Sequence, residues 1–281
     1  MIVVADSGST SIDWRILEDD APVRRVVSAG VNPVYQSVDE MERVFGDVLR
    51  QCAGAKGRLY FYGAGVVSER VTGAVREALS NVLPGFEVSV GSDLLAAAVA
   101  SLGCRDGVAA ILGTGSNSGL YLGGRIVRNI PAGGFILGDE GSGAWLGKRL
   151  LSDYIKGMLP EDLFSALKEE SGPLDYAEIV ENVYRSRMPS RYLASFSPFL
   201  KRHEEHEYVR LLLEDGFRTF MQRNVLGYGR KDLPLAVVGS VAVAYEDVLR
   251  SVASGFGIEV LGVEASAGDG LVRFYRNKDG I

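Results

Sequence analysis

Ile111-Leu112-Gly113-Thr114-Gly115-Ser116-Asn117 and Ala132-Gly133-Gly134-Phe135-Ile136-Leu137-Gly138-Asp139-Glu140-Gly141-Ser142 are two small-residue turns set close together in the middle of the chain. The first closes an apolar run of the buried-strand type, and a third turn, Asp6-Ser7-Gly8-Ser9-Thr10, closes another at the N-terminus. Glycine and hydroxyl residues at strand ends let backbone N–H groups approach an anion with no Cβ in the way. Such turns, together with isolated carboxylates, make a site for a nucleotide and its metal.

Working outward, hydrophobic spacing predicts strands at 2–5, 11–17 and 23–28. A helix follows at 39–52, with Met41, Val44, Phe45, Val48 and Leu49 on one face. Strands at 58–62 and 86–90 alternate with helices at 68–82 and 93–102. From Gly107 the pattern begins again. Strands are predicted at 108–112 and 118–122, and Gly123-Gly124 signals a hairpin into 125–130. Helices then dominate, at 142–158, 161–169, 175–183, 191–201 and 206–225. A strand at 235–238, a helix at 242–253, a strand at 258–261 and a short helix at 268–277 complete the chain.

Each half opens with three strands whose first turn is rich in Gly, Ser and Thr, which reads as internal duplication of one α/β unit. The fold class expected is therefore α/β, with lobes at 1–105 and 106–267 and a helical insertion at 150–230. The terminal helix, 268–281, is expected to pack back on the first lobe. A cleft between two lobes is a usual place for ligands.

The 281 residues are 47% hydrophobic and 23% charged, ordinary for a globular protein. A net charge of −6 without a basic block argues against a nucleic-acid partner. Cys52 and Cys104 are far apart, which excludes a CxxC metal site and a disulfide framework and fits a reducing compartment. The uncharged stretch 107–124 is full of Gly, Ser, Thr and Asn and does not read as a membrane span. The N-terminus has an acid early and no basic segment before its apolar run, so no secretory signal is expected and the location expected is cytoplasmic.

Each motif has a plain reading beside the functional one. The Asp6–Thr10 turn is either a hairpin turn or a carboxylate able to hold hydrated Mg²⁺. The turn at Gly113 is followed by a strand, so it is not a dinucleotide fingerprint. Gly63-Ala64-Gly65 follows a strand and precedes a helix, but Ser68 stands at its third glycine position. Gly143-Ala144-Trp145-Leu146-Gly147-Lys148 imitates a Walker A loop, and fails because Arg149 replaces the needed Ser or Thr. Asp93 is either a cap or first-turn acid of its helix, or a base for a substrate hydroxyl. Of Asp139 and Glu140, one is explained by a helix dipole; two hemmed by glycines suggest a ligand or metal neighbourhood. His203 and His206, among Glu204, Glu205 and Glu207, read as a solvated face.

The ordered set Asp6–Thr10, Leu112–Asn117, Gly138–Ser142 and Val237-Val238-Gly239-Ser240 resembles the N-acetylglucosamine kinases. These belong to the BadF/BadG/BcrA/BcrD-type branch of the actin, hexokinase and heat-shock-chaperone ATPase superfamily. The resemblance implies two ribonuclease-H-like lobes closing over ATP and a sugar. It implies Mg²⁺ at Asp6, ATP against Ser7, Gly8, Ser9, Thr10, Gly113, Thr114, Gly115, Gly239 and Ser240, and Asp93 as the base. Asn32, Ser116, Asn117, Ala132, Gly133, Gly134 and Asp139 would line the sugar pocket with Asp93. The implied activity is phosphorylation of N-acetylglucosamine at its 6-hydroxyl. Glucosamine, an N-acetylmuramic acid-type sugar, or a sensor role acting on a protein partner are the alternatives. The branch also holds dehydratase activators with an iron–sulfur cluster on interface cysteines, a role that Cys52 and Cys104 do not support. The long helices from Asp175 onward could form a homodimer contact.

Overall fold

The computed structural model describes residues 1–8, 11–18, 21–172 and 174–279. They form two compact units, Met1–Cys104 with Ser266–Ile281, and Arg105–Ala265.

In the first unit, β1 (Ile2–Ser7), β2 (Ser11–Leu17) and β3 (Arg24–Ala29) form an antiparallel meander. β4 (Gly57–Gly63) and β5 (Phe86–Ser92) extend it in parallel on the β1 side, giving the order β3-β2-β1-β4-β5. β1 reads as an unbroken apolar run because both its faces are covered. On one face Val3, Ala5, Trp14 and Phe61 pack with Met41 and Phe45 of α1 (Val38–Leu49). On the other, Tyr60 stacks on Tyr275 of the C-terminal helix (Gly268–Asp279) with ring centroids 3.6 Å apart. Trp14 satisfies its indole N–H on Ser28 Oγ at 2.9 Å. α1 begins with a reciprocal cap, Ser37 Oγ accepting from the Glu40 N–H and Glu40 Oε2 from the Ser37 N–H. α2 (Glu69–Val82) follows β4, and α3 (Asp93–Leu102) packs against the C-terminal helix, Gly270 lying directly on Ala100.

The second unit repeats the sheet. β6 (Gly107–Leu112), β7 (Ser116–Leu122) and β8 (Arg125–Ile130) are the meander; β9 (Leu235–Val238) and β10 (Val260–Glu264) are the parallel extension. The order β10-β9-β6-β7-β8 matches the first sheet strand for strand and direction for direction, as duplication of one unit requires. Between β8 and β9 lie α4 (Gly134–Leu137), α5 (Gly143–Ile155), α6 (Glu161–Ser171), α7 (Tyr176–Tyr184), α8 (Pro189–Ala194), α9 (Ser197–Arg202) and α10 (Glu207–Phe220). α11 (Ser240–Ala244) and α12 (Glu246–Gly255) connect β9 to β10.

Several expected boundaries move. The single helix predicted at 191–201 is divided at Ser195–Phe196 into α8 and α9; Pro198 sits in the first turn of α9, where a missing N–H costs little and which favours a fresh helix start there. The helix predicted at 242–253 is divided at Tyr245, whose hydroxyl donates to the Ser197 carbonyl at 2.6 Å. The helix predicted at 206–225 relaxes into a π-helical turn at Met221–Val225. No helix among the described residues is long and apolar enough to cross a membrane.

Candidate functional site

In the first unit Asp6 lies on β1 opposite Asp13 of β2. Burial holds its carboxyl up at about 6, against an ordinary 3.8, and the charges of Asp13 and then Asp93 push the same way. The Ala267 N–H and Arg15 oppose them. Arg15 grips Asp13 through Nε and Nη2, each at 3.0 Å, and reaches Asp269 through Nη1 at 2.5 Å. Arg25 Nε adds a contact to Asp13 at 2.9 Å. Two guanidiniums thus hold Asp13 directly, whereas at Asp6 the charges of Asp13 and Asp93 outweigh that of Arg15.

A hydrated divalent cation suits that imbalance. Mg²⁺ takes one or two carboxylates and completes its octahedron with water and phosphate oxygens. Among the described residues no three His, Cys, Asp or Glu side chains converge into an all-protein cage. A single buried carboxylate such as Asp6 fits an ion whose other ligands are water and phosphate oxygens. Ser7 is buried and its carbonyl accepts from the Ala64 N–H at 2.9 Å; the Gly8 N–H donates to the Ser11 carbonyl at 3.0 Å. Ser9 and Thr10 lie outside the described residues.

Asp93 is the first residue of α3, yet the cap is Ser92, whose Oγ accepts from the Leu95 N–H at 3.2 Å. Asp93 Oδ1 accepts from the adjacent Leu94 N–H at 2.8 Å, and burial raises its pKa against that bond and one from its own backbone N–H. With the capping role filled by its neighbour, the carboxyl suits a group that must take up a proton. Asn32 is exposed and its Oδ1 accepts from the Val34 N–H at 3.2 Å, an Asx turn at the mouth of α1.

In the second unit the turn between β6 and β7 is tied to the first turn of α5. The Gly113 N–H closes on the Gly115 carbonyl, while the Gly143 and Ala144 N–H groups donate to the carbonyls of Gly113 and Thr114, at 2.9 and 3.0 Å. Two amides that a helix start leaves unpaired thereby fix the turn, and exposed Thr114 stands at its tip. Those amides are consequently not offered to an anion, which is the structural reason that the Walker-like run before Lys148 is not a phosphate loop. Gly115 is needed here: a Cβ would lie 3.0 Å from Asp139 Oδ2.

Asp139 organises the other turn. Its backbone takes φ +53°, a left-handed conformation costing a non-glycine residue roughly 1–2 kcal/mol, held by its own N–H on the Ala132 carbonyl at 2.9 Å. Its Oδ1 accepts from the Ser116 N–H at 3.2 Å. Burial raises its pKa, with Glu140 adding to the rise and Lys148 opposing it. Ser116, Ala132, Gly133 and Asp139 are thus brought together. Asn117 stands beside them, its Oδ1 accepting from Asn129 Nδ2 at 2.9 Å; Gly134 begins α4. Glu140 turns elsewhere: Arg223 Nε meets it at 2.7 Å and Asn224 Nδ2 at 3.3 Å, both from the π-helical turn. Of the two acids hemmed by glycines, only Asp139 remains for a ligand.

A cavity of about 380 Å³ opens beside Thr114. Gly113, Thr114 and Gly143 form one wall, Ser240, Val241 and Ala244 of α11 another, and Ala194, Ser197, Pro198 and Lys201 of the α8–α9 corner a third. Gly239 makes the α11 wall possible. Its φ is +136°, and a Cβ would sit 2.1 Å from the Leu112 carbonyl, so the turn after β9 can lie directly on the end of β6. Thr114 and Ser240 were foreseeable from their turns. The α8–α9 residues were not: the only hint is Pro198, a helix breaker inside an apparently continuous helix. His203 and His206 hold acids of α6, Glu170 at 2.7 Å and Asp162 at 3.3 Å respectively.

No protein-family model matches the chain, and no curated protein does. Among solved structures, a candidate N-acetylglucosamine kinase from Porphyromonas gingivalis is 39% identical with a TM-score of 0.91, covering 99% of this chain and 100% of that one. A second candidate N-acetylglucosamine kinase, from Chromobacterium violaceum, is 20% identical with a TM-score of 0.74, covering 97% and 98%. A ROK hexokinase from Thermus thermophilus shares the fold at 18% identity and a TM-score of 0.56, covering 97% and 96%. With duplicated sheets, a braced Gly-Thr-Gly turn and a relative at 39% identity across essentially the whole length, the chain belongs to the N-acetylglucosamine kinase family and is a carbohydrate kinase.

Proposed function

We propose that the chain transfers the γ-phosphoryl group of ATP to the 6-hydroxyl of N-acetylglucosamine. The observation that carries this reading is the pairing, through the Ser116 N–H and Asp139 Oδ1, of a hydroxyl-tipped glycine turn with a buried acid. One element of that pair suits a polyphosphate and the other a sugar hydroxyl.

Phosphoryl transfer asks for positioning and charge neutralisation more than for covalent chemistry. Thr114, with its fixed backbone turn, would orient the phosphates, and the cavity between Ala194 and Ala244 would hold the nucleoside. Asp6 would hold the Mg²⁺ that, when bound, offsets the charge of the phosphate oxygens. Asp139, with Ser116, Asn117 and the 132–134 turn, would bind sugar hydroxyls. Asp93 would accept the proton of the 6-hydroxyl as that oxygen bonds to the γ-phosphorus and the bond to the ADP oxygen breaks. Its raised pKa helps it retain that proton through the step.

The test is a panel of sugars with ATP and Mg²⁺, reading ADP and phosphosugar together. N-acetylglucosamine should give the highest kcat/KM, with glucosamine and N-acetylmuramic acid below it. ADP formation without phosphosugar from any member would contradict the kinase reading.

A further inference from the structure

We infer that the donor cavity selects only weakly among purines, so that GTP and ITP serve as donors within about a hundredfold of ATP. The inference rests on the kinase reading for placing a nucleotide beside Thr114, and goes beyond it in naming the class of donor.

Adenine and guanine have nearly the same shape and differ in hydrogen-bonding edge. Adenine offers an amino donor beside a ring acceptor; guanine offers a carbonyl acceptor beside a ring N–H. A site selects between them only with a fixed polar group that matches one edge and is left unpaired by the other. Sites of that kind reject the wrong partner by roughly 10⁴–10⁵-fold, whereas apolar walls yield roughly 10–200-fold.

The walls of this cavity beyond Thr114 are Ala194, Pro198, Val241 and Ala244, with Ser197, Ser240 and Lys201 as their polar side chains. No carboxylate, carboxamide or guanidinium of the described residues is among those lining it. Pro198 lacks even a backbone donor. Ser197 is already engaged: its carbonyl accepts from the Tyr245 hydroxyl at 2.6 Å and its Oγ lies 3.3 Å from the same oxygen. The Ser240 hydroxyl can rotate to donate or accept, so it suits either edge. Lys201 holds Glu204 at 2.6 Å and lies over the Tyr245 ring at 5.8 Å. A flexible ammonium can meet the ring nitrogen N7 that all purines share. A neighbouring cleft of about 350 Å³, which shares Lys201 and Ala244, is by contrast lined by Glu204, Glu205, Arg210, Glu246 and Asp247. A base lying there would be read by charged groups.

Two measurements on the intact chain test this. Initial rates of N-acetylglucosamine phosphorylation with the Mg²⁺ complexes of ATP, GTP and ITP should give kcat/KM values within about a hundredfold of one another. A larger preference for ATP overturns the inference and points to the charged cleft. Calorimetric binding of ADP and GDP needs no acceptor and should give dissociation constants within the same range. If no donor yields phosphosugar but ADP and GDP bind alike, the kinase reading fails while the inference stands. If ADP binds and GDP does not, or neither binds, the inference fails.

Discussion

Replacing Asp6 with Asn should make the metal-free protein more stable near neutral pH while abolishing phosphoryl transfer. The folded chain holds the Asp6 carboxyl at about 6, against an ordinary 3.8, chiefly because the group is buried and then because Asp13 and Asp93 face it. A carboxyl raised on folding favours the folded state only while it is protonated. In acid below the ordinary value both states carry the proton, and Asp and Asn should be equivalent. As pH rises toward 6 the advantage is lost, and above it ionised Asp6 works against folding. At about 1.4 kcal/mol per pH unit, the rise corresponds to roughly 3 kcal/mol at neutrality. Asn keeps an acceptor for the Ala267 N–H and removes only the charge. Urea unfolding in a chelator, near neutral pH and again in acid, reads the difference directly. The variant should exceed the wild type by about 3 kcal/mol near neutrality, and the two should converge in acid. Added Mg²⁺ and nucleotide should then raise the wild type by linkage and leave the variant where it was. An Asn variant no more stable than wild type at neutral pH would refute the reasoning, because Asp6 would not be the carrier of uncompensated charge.

Asp93→Asn should lower kcat by roughly 10²–10⁴-fold and leave the nucleotide dissociation constant unchanged, as single-turnover rates and calorimetry would report. Gly115→Ala places a methyl 3.0 Å from Asp139 Oδ2; displacing that carboxylate should raise the sugar KM by roughly 10–100-fold, read from initial rates at saturating ATP. Gly239→Ala meets both a φ of +136° and the Leu112 carbonyl at 2.1 Å, and should destabilise the second unit by at least about 2 kcal/mol in denaturant unfolding.

Much of the fold could be read in advance because its signals are local. β1 and β6 are short apolar runs closed by Gly and hydroxyl residues, and the recurrence of that signal after Gly107 pointed to a duplicated sheet. Other features depend on partners distant in sequence. Arg15 looks like an ordinary strand residue until Asp269 is brought to it by the returning C-terminal helix. Glu140 reads as a second ligand acid until Arg223 and Asn224 of the π-helical turn occupy it. Asp93 could not be separated from a helix cap by composition, since Ser92 beside it serves equally well and does in fact make the cap. The walls of the cavity beside Thr114 are the clearest case. Ala194, Pro198 and Ala244 carry no chemical signature, and tertiary packing alone makes them neighbours of Thr114.

Incubation with N-acetylglucosamine, ATP and Mg²⁺, followed by phosphorus–proton correlation spectroscopy and ADP quantification, should show one ADP per sugar phosphate and phosphorus coupled to the C6 methylene protons. Phosphate on another carbon would contradict the proposed placement of the acceptor, and ADP accompanied only by free phosphate would contradict the transfer itself.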